Sequence, residues 1–97
     1  MAKFYFTNKA VEDLSDIWNY TVETLSENQA EIYYSLLLDS CKELANKPGQ
    51  GKSYEGVEKN ILGFKTGQHI LFYRTLAEKE IEIVRILNGM MDIKNHL

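Results

Sequence analysis

Cysteine and histidine are scarce in this sequence of 97 residues, which contains one cysteine, Cys41, and two histidines, His69 and His96. A single cysteine allows no disulfide within the chain, and one thiol is typical of proteins from a reducing compartment. The three residues lie far apart in the sequence and lack the spacing of metal ligands. Glycine-rich phosphate loops and nucleophile motifs are absent as well. We therefore expect neither a metal nor another cofactor.

Long apolar runs are also lacking. No run approaches the roughly 20 residues that a transmembrane helix needs, and the first nine residues, MAKFYFTNK, lack the apolar core of a signal peptide. We therefore expect no membrane association and a cytoplasmic location. With 44% hydrophobic and 26% charged residues, the composition is ordinary for a globular protein. We expect residues 1–97 to form a single domain with one modest core.

Basic residues are few, and only two of them, Arg74 and Arg85, are arginines. The net charge is −3, and it is unevenly distributed. Residues 1–46 hold three lysines against eight acidic residues, whereas residues 47–97 hold eight basic residues against six acidic ones. A domain that binds nucleic acid usually has a clear basic excess. We therefore expect no direct sequence-specific binding of nucleic acid.

Two amphipathic helices are predicted in the first half of the chain. Thr7 or Asn8 can cap the first helix, and Ser26 with Gln29 forms a capping box for the second. The second helix is expected to end at residues 46–49, where proline and glycine follow. The short junction predicts an antiparallel hairpin. The apolar stripes are Ala10, Val11, Leu14, Ile17, Trp18, Thr21, Val22 and Leu25, then Ala30, Tyr33, Tyr34, Leu37, Leu38, Cys41, Leu44 and Ala45. The solvated face of the first helix is predicted to carry Glu12, Asp13, Asp16, Asn19 and Glu23.

Four strands are predicted around these helices, because the remaining apolar runs are rich in β-branched and aromatic residues. Residues 47–59 contain the single proline and three glycines, and we expect a surface loop there. The third and fourth strands are apolar at both alternating positions, which is typical of strands covered on both faces. The predicted strands are residues 3–7, 60–65, 69–75 and 80–87.

The predicted order is therefore β-α-α-β-β-β, an α+β fold in which a twisted antiparallel sheet carries the helical hairpin on one face. The opposite face, together with the C-terminal tail, would form a concave surface for partners. Residues 91–97 are expected to form a helical turn or a frayed end.

Four segments, in matching order and spacing, resemble the RelE/ParE toxin superfamily, and most closely its ParE branch. The resemblance covers essentially the whole chain. The segments are AVEDLSDIWNY at residues 10–20, LANKP at 44–48 followed by Gly51, GQHILFYR at 67–74, and IVRIL at 83–87 followed by Met91 and Asp92. The resemblance implies the same β-α-α-β-β-β fold. It also implies the toxin of a type II toxin–antitoxin pair, neutralised by a ParD-like antitoxin that is encoded beside it.

Two targets follow from the resemblance. ParE-like toxins are thought to poison DNA gyrase, whereas RelE-like toxins cleave messenger RNA on the ribosome. The ParE-like pattern often has a histidine after the RIL triplet, where this chain has Asn88. If that histidine takes part in chemistry or binding, the resemblance implies weakened activity for this chain. Otherwise the position has only a structural role. A third possibility is an inactive relative that only binds an antitoxin.

The leading prediction is a gyrase inhibitor without a catalytic centre. Its target-binding residues are predicted to be Lys65, Arg74, Arg85 and Asn88. RNA cleavage would instead need a group that takes a proton, a group that gives one and a cation on the phosphate. The candidates are Lys65, His69, Tyr73, Arg74, Arg85 and His96. We favour ion pairs of Arg74 and Arg85 with acids such as Glu80 or Glu82, and a packing or hydrogen-bonding role for His69.

Aromatic residues on the helices are the candidates for binding the antitoxin. Tyr33 and Tyr34 fit the core stripe of the second helix, whereas Tyr20 falls off the stripe of the first. An aromatic side chain outside the core is a candidate interface residue. We therefore predict that Tyr20, Tyr33 and Tyr34 contact an antitoxin segment that folds along the hairpin and the sheet edge.

Overall fold

The chain folds into a helical hairpin packed on a five-stranded sheet in a computed structural model that describes residues 2–54 and 60–90. The elements are β1 (Lys3–Phe6), α1 (Asn8–Thr24), α2 (Glu27–Asn46), a 3₁₀ turn (Pro48–Gln50), β2 (Lys52–Ser53), β3 (Leu62–Thr66), β4 (His69–Ala77) and β5 (Glu80–Asn88). This confirms the α+β class and the predicted order of helices and main strands. The expectation for residues 91–97 lies outside the described residues.

The helix boundaries follow from their caps. Thr7 caps α1, since its hydroxyl accepts a hydrogen bond from the amide of Ala10 at 3.1 Å. Ser26 caps α2 in the same way, accepting from the amide of Gln29 at 3.0 Å. Ser26 was predicted as a cap, and Thr7 is one of the two candidates, Thr7 and Asn8, that were predicted for the first helix. No helix in the described part of the chain is long and apolar enough to cross a membrane.

The sheet differs from the prediction in one respect, because it is mixed rather than purely antiparallel. Its strand order is β1-β5-β4-β3-β2. The pairs from β2 to β5 are antiparallel, but β1 runs parallel to β5, with Phe4 opposite Ile81 and Phe6 opposite Ile83. The helical hairpin carries the chain away from β1, so that β1 is free to pair with the last strand in either direction. Apolar periodicity does not record that direction.

The described part of the predicted surface loop, residues 47–54, also contains regular structure. It contains the 3₁₀ turn and β2, which pairs with β3 through Lys52 opposite Gly63 and Ser53 opposite Leu62. The hydroxyl of Tyr73 holds this segment by donating to the carbonyl of Pro48 and accepting from the amide of Gly51 at 3.0 Å. These contacts are distant in sequence, and for that reason the local composition predicted only a loop.

The main core lies between the helices and one face of the sheet. β4 and β5 are central strands, as predicted, and β4 is buried on both faces. A smaller cluster lies on the opposite face of the sheet, which we call the open face. The main core includes Ala10, Leu14, Leu37, Cys41, Leu44, Leu71, Tyr73, Ile81 and Ile83, and the open face buries Ile61, Ile70, Phe72 and Leu87.

Candidate functional site

The C-terminal half of β5 runs past the end of its neighbour. β1 ends at Phe6 opposite Ile83, whereas β5 continues to Asn88. Side chains of α1 and its cap take over the backbone groups on this edge. The hydroxyl of Thr7 donates to the carbonyl of Val84 at 2.7 Å, and the carboxylate of Asp13 accepts from the amide of Ile86 at 2.9 Å. The first turns of α1 are therefore fixed to β5 by polar contacts.

Asp13 and Arg85 form a two-pronged ion pair at this edge. Arg85 Nε lies 2.8 Å from Asp13 Oδ2, and Arg85 Nη2 lies 2.9 Å from Asp13 Oδ1. The hydrogen bonds with Asp13 raise the pKa of Arg85, although partial burial opposes them. The prediction that Asp13 faces solvent was wrong, because it is only 9% exposed. The prediction that Arg85 pairs with an acid such as Glu80 or Glu82 was also wrong, because its carboxylate partner among the described residues is Asp13.

A groove of about 790 Å³ lies between the half of the helical hairpin that contains its turn and this edge of β5. We call it the hairpin groove. Two large apolar side chains at its walls are mostly exposed, Tyr20 at 68% and Leu25 at 70%. Its other lining residues include Asp13, Asp16, Ile17, Gln29, Tyr33, His69, Arg85 and Asn88. An exposed aromatic beside a concave, mixed surface is typical of a protein interface.

Tyr33 and His69 form a second polar pair in the hairpin groove. Tyr33 Oη lies 2.6 Å from His69 Nδ1 and accepts a hydrogen bond from the amide of Gln68 at 2.9 Å. Gly67 makes this approach possible, because it has a φ of +57° and a β-carbon there would lie 2.7 Å from Tyr33 Oη. Burial lowers the pKa of His69, and the negative charge of Asp13 partly opposes that effect. The half-buried, hydrogen-bonded histidine agrees with the role favoured for His69 from the sequence.

Tyr34 lies apart from the other two predicted antitoxin contacts. Its ring packs edge-on against Trp18, with 6.0 Å between the ring centres. Both residues line a smaller groove of about 430 Å³ that also includes Phe6, Val11 and Leu14. We call it the side groove. The predicted set is therefore divided, with Tyr20 and Tyr33 in the hairpin groove and Tyr34 in the side groove.

The predicted target-binding residues are divided as well. Lys65 lies opposite Ile70, and Arg74 follows Ile70 and Phe72 on alternate positions of β4, so both belong to the open face. Arg74 Nε lies 3.7 Å from Glu82 Oε1, an ion pair that the sequence suggested. Arg85 and Asn88 instead line the hairpin groove. Asn88 accepts a hydrogen bond from the amide of Met90 at 2.8 Å through its side-chain oxygen.

The candidates for RNA cleavage are not brought together. Tyr73 is fully buried in the main core, and burial raises the pKa of its hydroxyl. Its placement argues against contact with a substrate. His96 lies outside the described residues. Within residues 2–54 and 60–90, no three ligand-type side chains are grouped in a way that could hold a metal ion.

Sequence reasoning missed the role of Asp13 in the site. A signal was present, since Asp13 lies three residues after Ala10 and four before Ile17, and residues at these spacings share one side of a helix. An acidic residue beside a core stripe, in a chain with only two arginines, points to a pairing with one of them.

Comparisons with known proteins agree with this fold and its boundaries. Residues 4–93 match the family model described as the ParE toxin of the type II toxin–antitoxin system parDE. "Toxin ParE1" of Caulobacter vibrioides is 30% identical over 97 residues, which cover 100% of this chain and 99% of the relative. "Toxin ParE1" of Mycobacterium tuberculosis is 28% identical over 96 residues, covering 99% and 98%.

A solved structure has the same fold. It is described as the chromosomal ParDE toxin–antitoxin system from P. aeruginosa, and it superposes with a TM-score of 0.74. The superposition covers 91% of this chain and 96% of the other at 21% sequence identity.

Proposed function

Because this chain belongs to the ParE toxin family of type II toxin–antitoxin systems, we propose that a ParD-like antitoxin neutralises it and that its target is DNA gyrase. The match of the family model to residues 4–93 carries this proposal. The structural neighbour supports an antitoxin as partner, since that protein is described as part of a ParDE system. Action on gyrase would place the toxin in the cytoplasm.

The hairpin groove is our candidate for the antitoxin site. Tyr20 and Leu25 expose large apolar surfaces there, which a partner segment would remove from water. The charged lining residues are Asp13, Asp16 and Arg85. Among the described residues that line the groove, Asp13 and Arg85 are paired with each other, and Asp16 adds a negative charge. An amphipathic segment with apolar anchors and a lysine or arginine near Asp16 would complement this surface.

The open face is our candidate for the surface that contacts gyrase. Lys65 supplies positive charge there, Arg74 adds a guanidinium that is paired with Glu82, and both basic residues lie away from the hairpin groove. Contact by surface charge needs no proton-transfer group, which agrees with a toxin that holds gyrase in a DNA-cleaved state. Separate surfaces would allow the two binding partners to be tested independently.

The test is induction of the toxin in cells, with and without the antitoxin encoded beside it. We expect growth arrest that the antitoxin relieves, together with double-strand breaks and intact transcripts. The double variant Lys65→Ala/Arg74→Ala should form fewer breaks. The matched control, Lys9→Ala/Lys42→Ala, removes two exposed lysines from the helices and should behave as wild type. Cleaved transcripts without breaks would instead identify a ribosome-dependent nuclease.

A further inference from the structure

The other contacts of Tyr33 favour one donor and one acceptor for its hydrogen bond with His69 in the hairpin groove. The Tyr33 oxygen accepts the amide hydrogen of Gln68, and its own hydroxyl hydrogen needs an acceptor. His69 Nδ1, at 2.6 Å, is the only acceptor that contacts this hydroxyl among the described residues. Donation from Tyr33 to Nδ1 satisfies both groups within the protein, and this arrangement places the imidazole hydrogen of His69 on Nε2.

The Nε2–H group of His69 is then a donor without a partner in the described part of the chain. The only hydrogen bond of the imidazole in residues 2–54 and 60–90 is that with Tyr33. His69 Nε2 is not among the fully buried polar atoms that lack a partner there. Since His69 lines the hairpin groove, Nε2 is left for water or for a ligand.

We propose that His69 is a specificity-determining contact of the hairpin groove, whose Nε2–H donates a hydrogen bond to a carbonyl oxygen of the bound antitoxin segment. Tyr33 is the positioning residue, because its hydroxyl fixes the tautomer and the ring orientation. This inference rests on the proposed function. A neutral carbonyl fits better than a carboxylate, since Asp16 adds a negative charge to the described lining of the groove.

The position of the hydrogen can be measured in the free toxin. The ¹⁵N chemical shifts of the His69 imidazole distinguish the Nε2–H tautomer from the Nδ1–H tautomer. We expect almost pure Nε2–H in the wild type at pH 7.5. Tyr33→Phe keeps the ring but removes the donor to Nδ1, so it should give a mixture of tautomers. A wild-type protein with mainly Nδ1–H would overturn the assignment.

Binding of the full-length antitoxin encoded beside the toxin tests the contact itself. In His69→Gln the amide nitrogen can take the place of Nε2, and we expect affinity within about threefold of wild type. His69→Phe keeps a ring but no donor, and we expect affinity about tenfold lower, which is the loss of one ordinary hydrogen bond. Thermal melting of each variant checks that it is folded.

The outcomes separate this inference from the proposed function. If His69→Phe binds as well as the wild type, or if His69→Gln loses as much as His69→Phe, the donor contact is overturned while the antitoxin remains the partner. If the antitoxin does not bind the wild-type toxin, both proposals fail. The tautomer measurement is independent of the antitoxin.

Discussion

Asp13 accepts three hydrogen bonds, two from Arg85 and one from the amide of Ile86. The two side chains are only 11% and 21% exposed. Breaking an ion pair with this geometry and little exposure costs more stability than breaking an exposed pair, because the remaining charge is left unpaired. Arg74 and Glu82 are the natural comparison, because their closest atoms are 3.7 Å apart and their side chains are 40% and 35% exposed.

Replacing Asp13 by Ala should therefore lower the free energy of unfolding by about 2 to 3 kcal/mol. Asp13→Asn should have a smaller effect, because an amide oxygen can still accept from Ile86. Arg74→Ala is the control and should cost less than about 1 kcal/mol. Chemical denaturation measures all three. Equal effects of Asp13→Ala and Arg74→Ala would contradict the importance given to the Asp13 contacts.

His69 should make stability depend on pH. Burial lowers its pKa in the folded state, so between that pKa and the ordinary value of about 6.5 the unfolded chain binds more protons. The contribution of His69 to the free energy of unfolding should be present in full above its ordinary pKa. It should be lost as the pH decreases towards the pKa of the folded state. The comparison is wild type against His69→Phe, each unfolded at pH 7.5 and pH 5.5. A variant that loses as much stability as the wild type would contradict the assignment.

At the level of elements, one residue at the junction between β1 and α1, Thr7, makes two kinds of contact. Thr7 caps the helix through Ala10 and also donates to the carbonyl of Val84 in β5. Its amide in addition donates to the carbonyl of Ile83 at 3.0 Å. Within residues 2–54 and 60–90, the hydroxyl of Ser26 makes only the capping contact, and its amide donates to the carbonyl of Thr21 in α1 at 3.2 Å. The first junction thus connects a helix to the sheet, and the second connects two helices.

Thr7→Ala should consequently destabilise the protein more than Ser26→Ala. We expect a loss of about 2 kcal/mol for Thr7→Ala, which removes a cap and a hydrogen bond to the sheet, and about 1 kcal/mol for Ser26→Ala. Thr7→Ser keeps the hydroxyl and should remain close to wild type. Thermal and chemical unfolding of the three variants gives the comparison. A larger effect at Ser26 would show that Thr7 has no role beyond capping.

The elements that the sequence predicted are those with a strong local signal. The helices have a 3.6-residue apolar period and capping residues, and β4 and β5 have dense runs of β-branched and aromatic residues. The parallel pairing of β1, the short strand β2 and the contacts of Asp13 depend on residues far apart in the chain. Tyr20 and Tyr33 could be named from the sequence as interface candidates, but only the fold separates them from Tyr34.

On the scale of the whole molecule, the helical hairpin has one groove near its turn and another beside β1. The hairpin groove contains Tyr20, which is 68% exposed, and the side groove contains Tyr34, which is 39% exposed. Tyr34 packs against Trp18, whereas Tyr20 makes no ring contact in the described residues. Two tyrosines on neighbouring helices thus provide a matched pair for locating the antitoxin.

Tyr20→Ala should weaken antitoxin binding by tenfold or more, as truncation of a central aromatic contact does. Tyr34→Ala should leave the affinity within about threefold of wild type. The melting temperature of Tyr20→Ala should hardly change, since this side chain contributes little to the core. Titration calorimetry with the antitoxin measures both affinities. The reverse order of effects would move the antitoxin to the side groove.

The position of β5 constrains how this molecule is made. β5 lies between β1 and β4 in the sheet, yet it follows every other described element in the chain. During translation, β1 has no strand to pair with until residues 80–83 emerge, and the backbone contacts of Thr7 and Asp13 wait for residues 83–86. A nascent chain therefore cannot assemble its sheet, or the edge of β5 that lines the hairpin groove, until residues 80–88 have emerged.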